Sequence, residues 1–210
     1  MFDATAELTL PLKFPRIIGL YAPCAQSGKS TVTAFLEVMG AERHLNVMNI
    51  KISAPIKEPL IRLGLCNEHI EGPLKEVPLK ALGGKSPRQV MIELFKAGVE
   101  AYGPNWMADQ AQTRIRKALA HGSVVVVDDV RTEEDYLMLR SFGADAQVWR
   151  VERPGLNRPT GAAVTESLLE QKMFDRYIAN DGSLEVLGMR VRAALAVGGG
   201  SAPVRHVGAA

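Results

Sequence analysis

The run Ser27-Gly28-Lys29-Ser30-Thr31 is where residue types and order point most directly to chemistry. It lies between a short apolar run, Arg16 to Tyr21, and a segment carrying Val32, Phe35, Leu36 and Met39 at helical spacing. A Gly-Lys-Ser turn between a strand and a helix fits the second half of a Walker A phosphate loop. Backbone N–H groups at a helix N-terminus face outward, and the helix dipole adds partial positive charge. Gly28 lets the backbone pass close to a phosphate, where a Cβ would collide. Lys29 is placed to bridge the β- and γ-phosphates of ATP as a point charge, and the Ser30 hydroxyl to ligate Mg²⁺. Ala25, Gln26, Ser27 and Thr31 complete the expected ATP-binding loop. The first glycine of the full pattern falls at Pro23. Proline fixes φ and donates no hydrogen bond, so this position departs from the pattern.

A second constellation is Val124-Val125-Val126-Val127-Asp128-Asp129-Val130-Arg131. Four successive valines fit a strand buried on both faces, as in a parallel sheet. Two carboxylates then fall at its C-terminal end, where ligands bind in open α/β sheets. A carboxylate there can join an Mg²⁺ shell, the expectation for Asp128, or accept a hydrogen bond from a substrate. Arg131 adds a planar phosphate clamp. The plainer alternative is a solvated strand end, with Asp129 capping the next helix.

These residues need a scaffold, and the chain alternates strand and helix patterns. Strands are expected at 16–21, 47–52, 123–127, 146–151 and 177–179. Helices are expected at 30–39, 55–63, 88–102, 106–121, 133–142 and 183–195. Residues 64–87 carry three prolines and several glycines and read as a loop or mobile segment. Met39, Met48, Met91 and Met138 read as core filler. The alternation implies an α/β layer fold with a mostly parallel sheet flanked by helices.

Composition narrows the function classes. The 210 residues are 47% apolar and 23% charged, the balance of a globular chain long enough to bury a core without disulfides. The formal charge of +2 comes without a concentrated basic stripe, so no stable duplex nucleic-acid partner is expected. Cys24 and Cys66 lack CxxC spacing and a nearby histidine, and read as reduced thiols in a cytosolic protein. The scattered histidines argue against zinc. No apolar run approaches about 18 residues, and the N-terminus lacks a signal-peptide pattern. The expectation is a cytoplasmic protein without a membrane partner. The small-residue stretch 198–210 reads as a flexible tail.

Several ordered blocks together resemble the deoxynucleoside monophosphate kinases of bacteriophages, a branch of the P-loop nucleotide kinases. After SGKST come Ala54-Pro55-Ile56-Lys57-Glu58-Pro59-Leu60, then Ser86-Pro87-Arg88 with Asn105-Trp106, then VVDDVRTEEDYLMLRSFGA. They are followed by Arg150-Val151-Glu152-Arg153-Pro154-Gly155 with Thr165-Glu166, and by Asp175-Arg176-Tyr177-Ile178-Ala179-Asn180-Asp181-Gly182-Ser183. The resemblance spans Arg16 to about Leu195. The chain departs from the family at Pro23 and at Ala163-Val164, where the lid's usual histidine is missing.

The resemblance implies a P-loop NTPase fold over residues 1–197, with a small lid at about 153–174. It implies transfer of the ATP γ-phosphoryl to a deoxynucleoside monophosphate, giving ADP and a dNDP in the host cytoplasm, with ATP and Mg²⁺ as cofactors. Lys57, Arg88 and Arg131 would hold the acceptor phosphate, Asp129 and Asp135 the base or sugar, and Trp106 would stack on a base or merely pack. Arg153 and Arg158 are the lid cations, and Lys29, Arg131 and Arg158 the catalytic set. Asn180 and Gly182 would border the adenine. A homodimer fits the resemblance. Two other readings stay open. One is a kinase with a different acceptor: a modified nucleotide, a nucleotide within DNA or a small phosphometabolite. The other is a non-catalytic ATP-binding switch.

Overall fold

The computed structural model describes residues 12–156, 169 and 171–196. Arg158, most of the expected lid and the expected tail lie outside the described residues. The strands are β1 (Ile17–Tyr21), β2 (Val47–Asn49), β3 (Val124–Val130), β4 (Ala146–Glu152) and β5 (Arg176–Ala179). The helices are α1 (Lys29–Ala41), α2 (Ala54–Arg62), α3 (Asn67–Ile70), α4 (Pro87–Tyr102), α5 (Trp106–Ala120), α6 (Glu133–Arg140) and α7 (Leu184–Ala196). The strands form one parallel sheet in the order β2-β3-β1-β4-β5. This is the α/β fold with a parallel sheet flanked by helices that the alternation predicts.

The chain divides into two compact units, Met1–Ile50 with Ile115–Ala210, and Lys51–Arg114. The first holds the sheet. Every residue of β1 and β3 is buried, because helices cover both faces of these central strands. Ile18 and Leu20 of β1 pack with Val32, Leu36 and Met39 of α1 and with Leu187, Val191 and Leu195 of α7. On the opposite face, a Cβ at Gly19 would strike Leu139 of α6, so α6 lies close against the sheet there. Alternation along β1 thus assigns α1 and α7 to one face and α6 to the other.

The second unit has its own core. Leu60, Leu65, Ile70 and Met91 are buried together, with Ile56, Leu79, Leu82, Val90 and Leu94 packed against them. Residues 64–87 are therefore not a plain loop. They form α3, two 3₁₀ turns at Pro73–Glu76 and Lys80–Leu82, and an antiparallel bridge between Leu79 and Lys85. The prolines start turns rather than abolish structure: Pro73 opens one of the 3₁₀ turns, and Pro87 opens α4. A capping box closes the α4 N-terminus, with Ser86 Oγ accepting from the Gln89 amide and Gln89 Oε1 from the Ser86 amide.

Met48 corrects another expectation. It is 41% exposed, since β2 is the short edge strand, whereas Met39, Met91 and Met138 are buried as expected. Cys66 does have a histidine partner, with His69 Nδ1 3.0 Å from its Sγ. One turn of α3 brings the two side chains together, a proximity that i, i+3 spacing creates.

Gly98 on α4 is a point of close packing in the second unit. A Cβ there would run into the Trp106 indole, a rigid ring that cannot give way as a flexible side-chain end can. Gly98→Ala is expected to cost about 1–3 kcal/mol of stability through overpacking. A thermal melt followed by tryptophan emission checks this, and an unchanged midpoint contradicts the packing described.

Candidate functional site

The turn between β1 and α1 is built from its backbone outward. Ser27 Oγ donates to the Cys24 carbonyl at 2.7 Å, closing the loop on itself. Gln26 and Gly28 both have positive φ, 62° and 99°. Gly28 is the N-cap of α1 in the left-handed region, and α1 has no side-chain cap hydrogen bond and no acidic residue in its first turn. The other helices described with capping boxes, α4 and α6, close their first amides with their own side chains. At the N-terminus of α1 no side chain closes the first amides. Pro23 is buried, and Ala25, Gln26 and Ser30 are exposed.

Behind this loop stands Asn180, just past β5. Its backbone amide donates to the Glu152 carbonyl at 2.6 Å. Its side-chain Nδ2 donates to the Ser27 carbonyl at 3.0 Å. A Cβ on Gly28 would collide with that same Nδ2, so position 28 requires glycine for space as well as for φ. The Asn180 loop is braced in turn by Arg190 of α7, whose Nη1 donates at 2.5 Å both to the Ala179 carbonyl and to Asp181 Oδ1. Gly182 is exposed in this loop, and Arg153 is exposed just past β4.

The two aspartates sit on a strand irregularity. Gly19 of β1 pairs with Val127 of β3, but Tyr21 pairs with Val130, so β3 carries one extra residue at Asp128–Asp129. Such a bulge bends the strand and re-aims side chains beside a site. Both carboxylates are buried, at 4% and 7% exposure, although regular alternation would send them to opposite faces. Asn49, at the end of β2, donates from Nδ2 to Asp128 Oδ2 at 3.1 Å. Asp129 lies near enough to Asp135 for its charge to act on that carboxyl.

Asp135 itself turns back on the backbone. Its Oδ2 accepts from the amides of Arg131 at 2.9 Å and Thr132 at 3.0 Å, while Thr132 Oγ1 accepts from the Asp135 amide at 3.3 Å. It is the N3 member of a capping box on α6 and fixes the turn that carries Arg131. The cap of α6 is Thr132, not the Asp129 that the plainer sequence reading offered. Burial pushes the Asp135 pKa up. The backbone hydrogen bonds pull against this, the Asp129 charge adds to the rise, and the net direction is upward.

The sequence candidates of the second unit are held in ion pairs there. Lys57 is buried, and its Nζ donates to Glu71 Oε1 at 2.5 Å. Burial raises the Glu71 pKa. The hydrogen bond and charge of Lys57, with Lys75 and Lys51, outweigh that and leave the pKa below its ordinary value. Arg88 pairs with Glu76 at the surface. Trp106 packs over Gly98, with its ring 6.5 Å from that of Tyr102.

Sequence reasoning did not find Asn49 or the Asn180–Ser27 contact. Both join residues far apart in the chain, and no local pattern marks them. The Thr132-x-x-Asp135 box was legible as a capping signature, but the resemblance drew attention to a ligand role instead.

No family model matches the chain. No curated protein matches it either. Among solved structures it is similar to a mutant of the Mycobacterium tuberculosis APS kinase CysC, at 12% identity over 88% of this chain and 98% of that one, with a TM-score of 0.47. It is also similar to the dephospho-CoA kinase of Campylobacter jejuni, at 16% identity over 84% and 93% of the two chains, with a TM-score of 0.41. Among the described residues no helix is long and apolar enough to cross a membrane.

The raised pKa of Asp135 carries a sign. The folded state holds this proton more tightly than the unfolded chain does. The stability it contributes is full below the ordinary aspartate pKa and is lost as pH rises through the raised folded value. Asp135→Asn keeps an acceptor oxygen for the two amides and cannot ionise. It is expected to flatten the fall in melting temperature across that window, and an unaltered pH profile would contradict the assignment.

Proposed function

We propose that the chain is an ATP-dependent phosphotransferase and that its acceptor is a deoxynucleoside monophosphate. The observation that carries the first half is the uncapped N-terminus of α1. Gly28 at φ 99° stands ahead of Lys29, beside a neighbouring strand that ends in two buried aspartates. The acceptor class rests on the ordered sequence blocks resembling the phage kinases.

In this reading the amides from Ala25 to Thr31 and the Lys29 ammonium hold the ATP phosphates. The γ-phosphorus–oxygen bond to the β-phosphate breaks, and a new bond forms to an oxygen of the acceptor phosphate. The products are ADP and a dNDP. A phosphate nucleophile needs little proton removal, so the protein's work is alignment, charge neutralisation and exclusion of water. Ser30 and Asp128 offer hard oxygen donors of the kind Mg²⁺ takes, and Mg²⁺ retains several waters, so few protein ligands suffice. Bound there, the ion would neutralise charge on the β- and γ-oxygens. Asn49 keeps the Asp128 carboxylate oriented.

Arg131 is the acceptor-phosphate clamp of the first unit, with its turn fixed by Asp135. Asp129 is the carboxylate offered to the acceptor's base or sugar. Lys57 and Arg88 are acceptor-binding residues of the second unit. A phosphate binding them must displace Glu71 or Glu76. Trp106 is a candidate base contact. Arg153 and Arg158 are the lid cations, and Arg158 joins Lys29 and Arg131 in the catalytic set. Gly182 and the backbone at Asn180 border the adenine.

The buried Pro23 favours one competing reading, a switch that binds ATP without turnover, because it removes a donor from the loop's entry. Release of ADP measured against a panel of dNMPs, other acceptors and DNA separates the two. Acceptor-dependent turnover supports the kinase, and tight ATP binding with none supports the switch. Lys29→Ala is expected to lower kcat by about a hundredfold or more with the fold intact. Wild-type activity in that variant would remove the phosphate-loop assignment. Arg131→Ala is expected to raise the acceptor KM more than the ATP Kd, and equal loss of both would contradict its role.

A further inference from the structure

We propose that Asn180 is a positioning residue that sets the phosphate loop through the Ser27 carbonyl, and that its side chain serves the triphosphate rather than the base. This rests on the phosphate-loop reading above and deepens it.

The argument is one of peptide geometry. The Ser27 carbonyl and the Gly28 N–H share one peptide plane, and the described chain holds no cis peptide bond. In a trans peptide these two groups point in opposite directions. Asn180 Nδ2 holds the Ser27 oxygen at 3.0 Å, so the Gly28 N–H is aimed away from Asn180. A glycine at φ 99° is free to rotate its flanking peptides, and this hydrogen bond removes that freedom. Nδ2 also fills the space a Cβ at position 28 would need, so donor and glycine fit one another.

The support behind Asn180 is itself rigid. Its backbone amide is pinned to Glu152 at the end of β4, and the following loop is tied to α7 through Arg190. The sheet, through β4 and β5, therefore braces a turn that β1 alone would leave to swing. One of the two Nδ2 hydrogens is committed to Ser27, which fixes the orientation of the amide relative to the loop.

The test compares two ligands on the full chain, ATP and inorganic tripolyphosphate, which has no base. Binding is measured by calorimetry for the parent, Asn180→Ala and Asn180→Leu. Leucine keeps about the size of asparagine but has no donor and adds no charge beside the phosphates, so a role in mere space-filling would survive in it. Should the alanine variant not fold, the leucine variant still decides. The expected result is that both variants weaken both ligands by a similar factor, about three- to tenfold. Weakened ATP with unchanged tripolyphosphate would overturn the proposal in favour of base reading. Unchanged affinity for both, or loss in alanine alone, would overturn it in favour of packing. A parent protein that binds neither ligand would overturn the phosphate-loop reading itself, and the strut with it.

Discussion

The first unit turns on the start of α1, where no side chain caps the helix. Helix ends leave N–H groups without intrahelical partners, and proteins usually satisfy them with a side chain. This chain does so at α4 and α6 with capping boxes, and does not at α1. Ser86 and Thr132 supply an acceptor oxygen at those two helices, whereas Gly28 has no side chain to offer and adopts the left-handed region. An open helix end with a lysine directly after it is a place of concentrated positive potential, and the sheet brings carboxylates to its border.

Those carboxylates show how a small backbone irregularity organises charge. Two consecutive aspartates on a regular central strand would face opposite helices, each in an apolar layer. The extra residue in β3 opposite Gly19–Tyr21 breaks the alternation. One carboxylate then meets Asn49 on β2, while the other falls within electrostatic range of Asp135. The Asn49 hydrogen bond offsets part of the cost of burying Asp128, whereas the charge of Asp129 adds to the cost of ionising Asp135.

The sheet, the order of elements and the turn between β1 and α1 are legible because each is written locally: valine runs, helical spacing, and a Gly-Lys-Ser between them. What was not legible follows a physical pattern. The prolines and glycines of segment 64–87 point to a loop or mobile segment. Leu65, Ile70, Leu79 and Leu82 have no periodicity, yet they share a core with α2 and α4 that only the folded chain assembles. Met48 was read as core because apolar residues in a strand usually are, and strand order, which decides edges, is not local. Asn49 and Asn180 are polar residues at strand ends whose partners lie 79 and 153 residues away. Cys66 and His69 were close enough to be read together, and only the formation of α3 turns that spacing into contact.

The buried proline between β1 and α1 acts on the unfolded chain as much as on the folded one. A pyrrolidine ring has few conformations to lose, so the chain is already narrowed at this point before it folds. Ordering the turn therefore demands less entropy than it would with glycine at position 23.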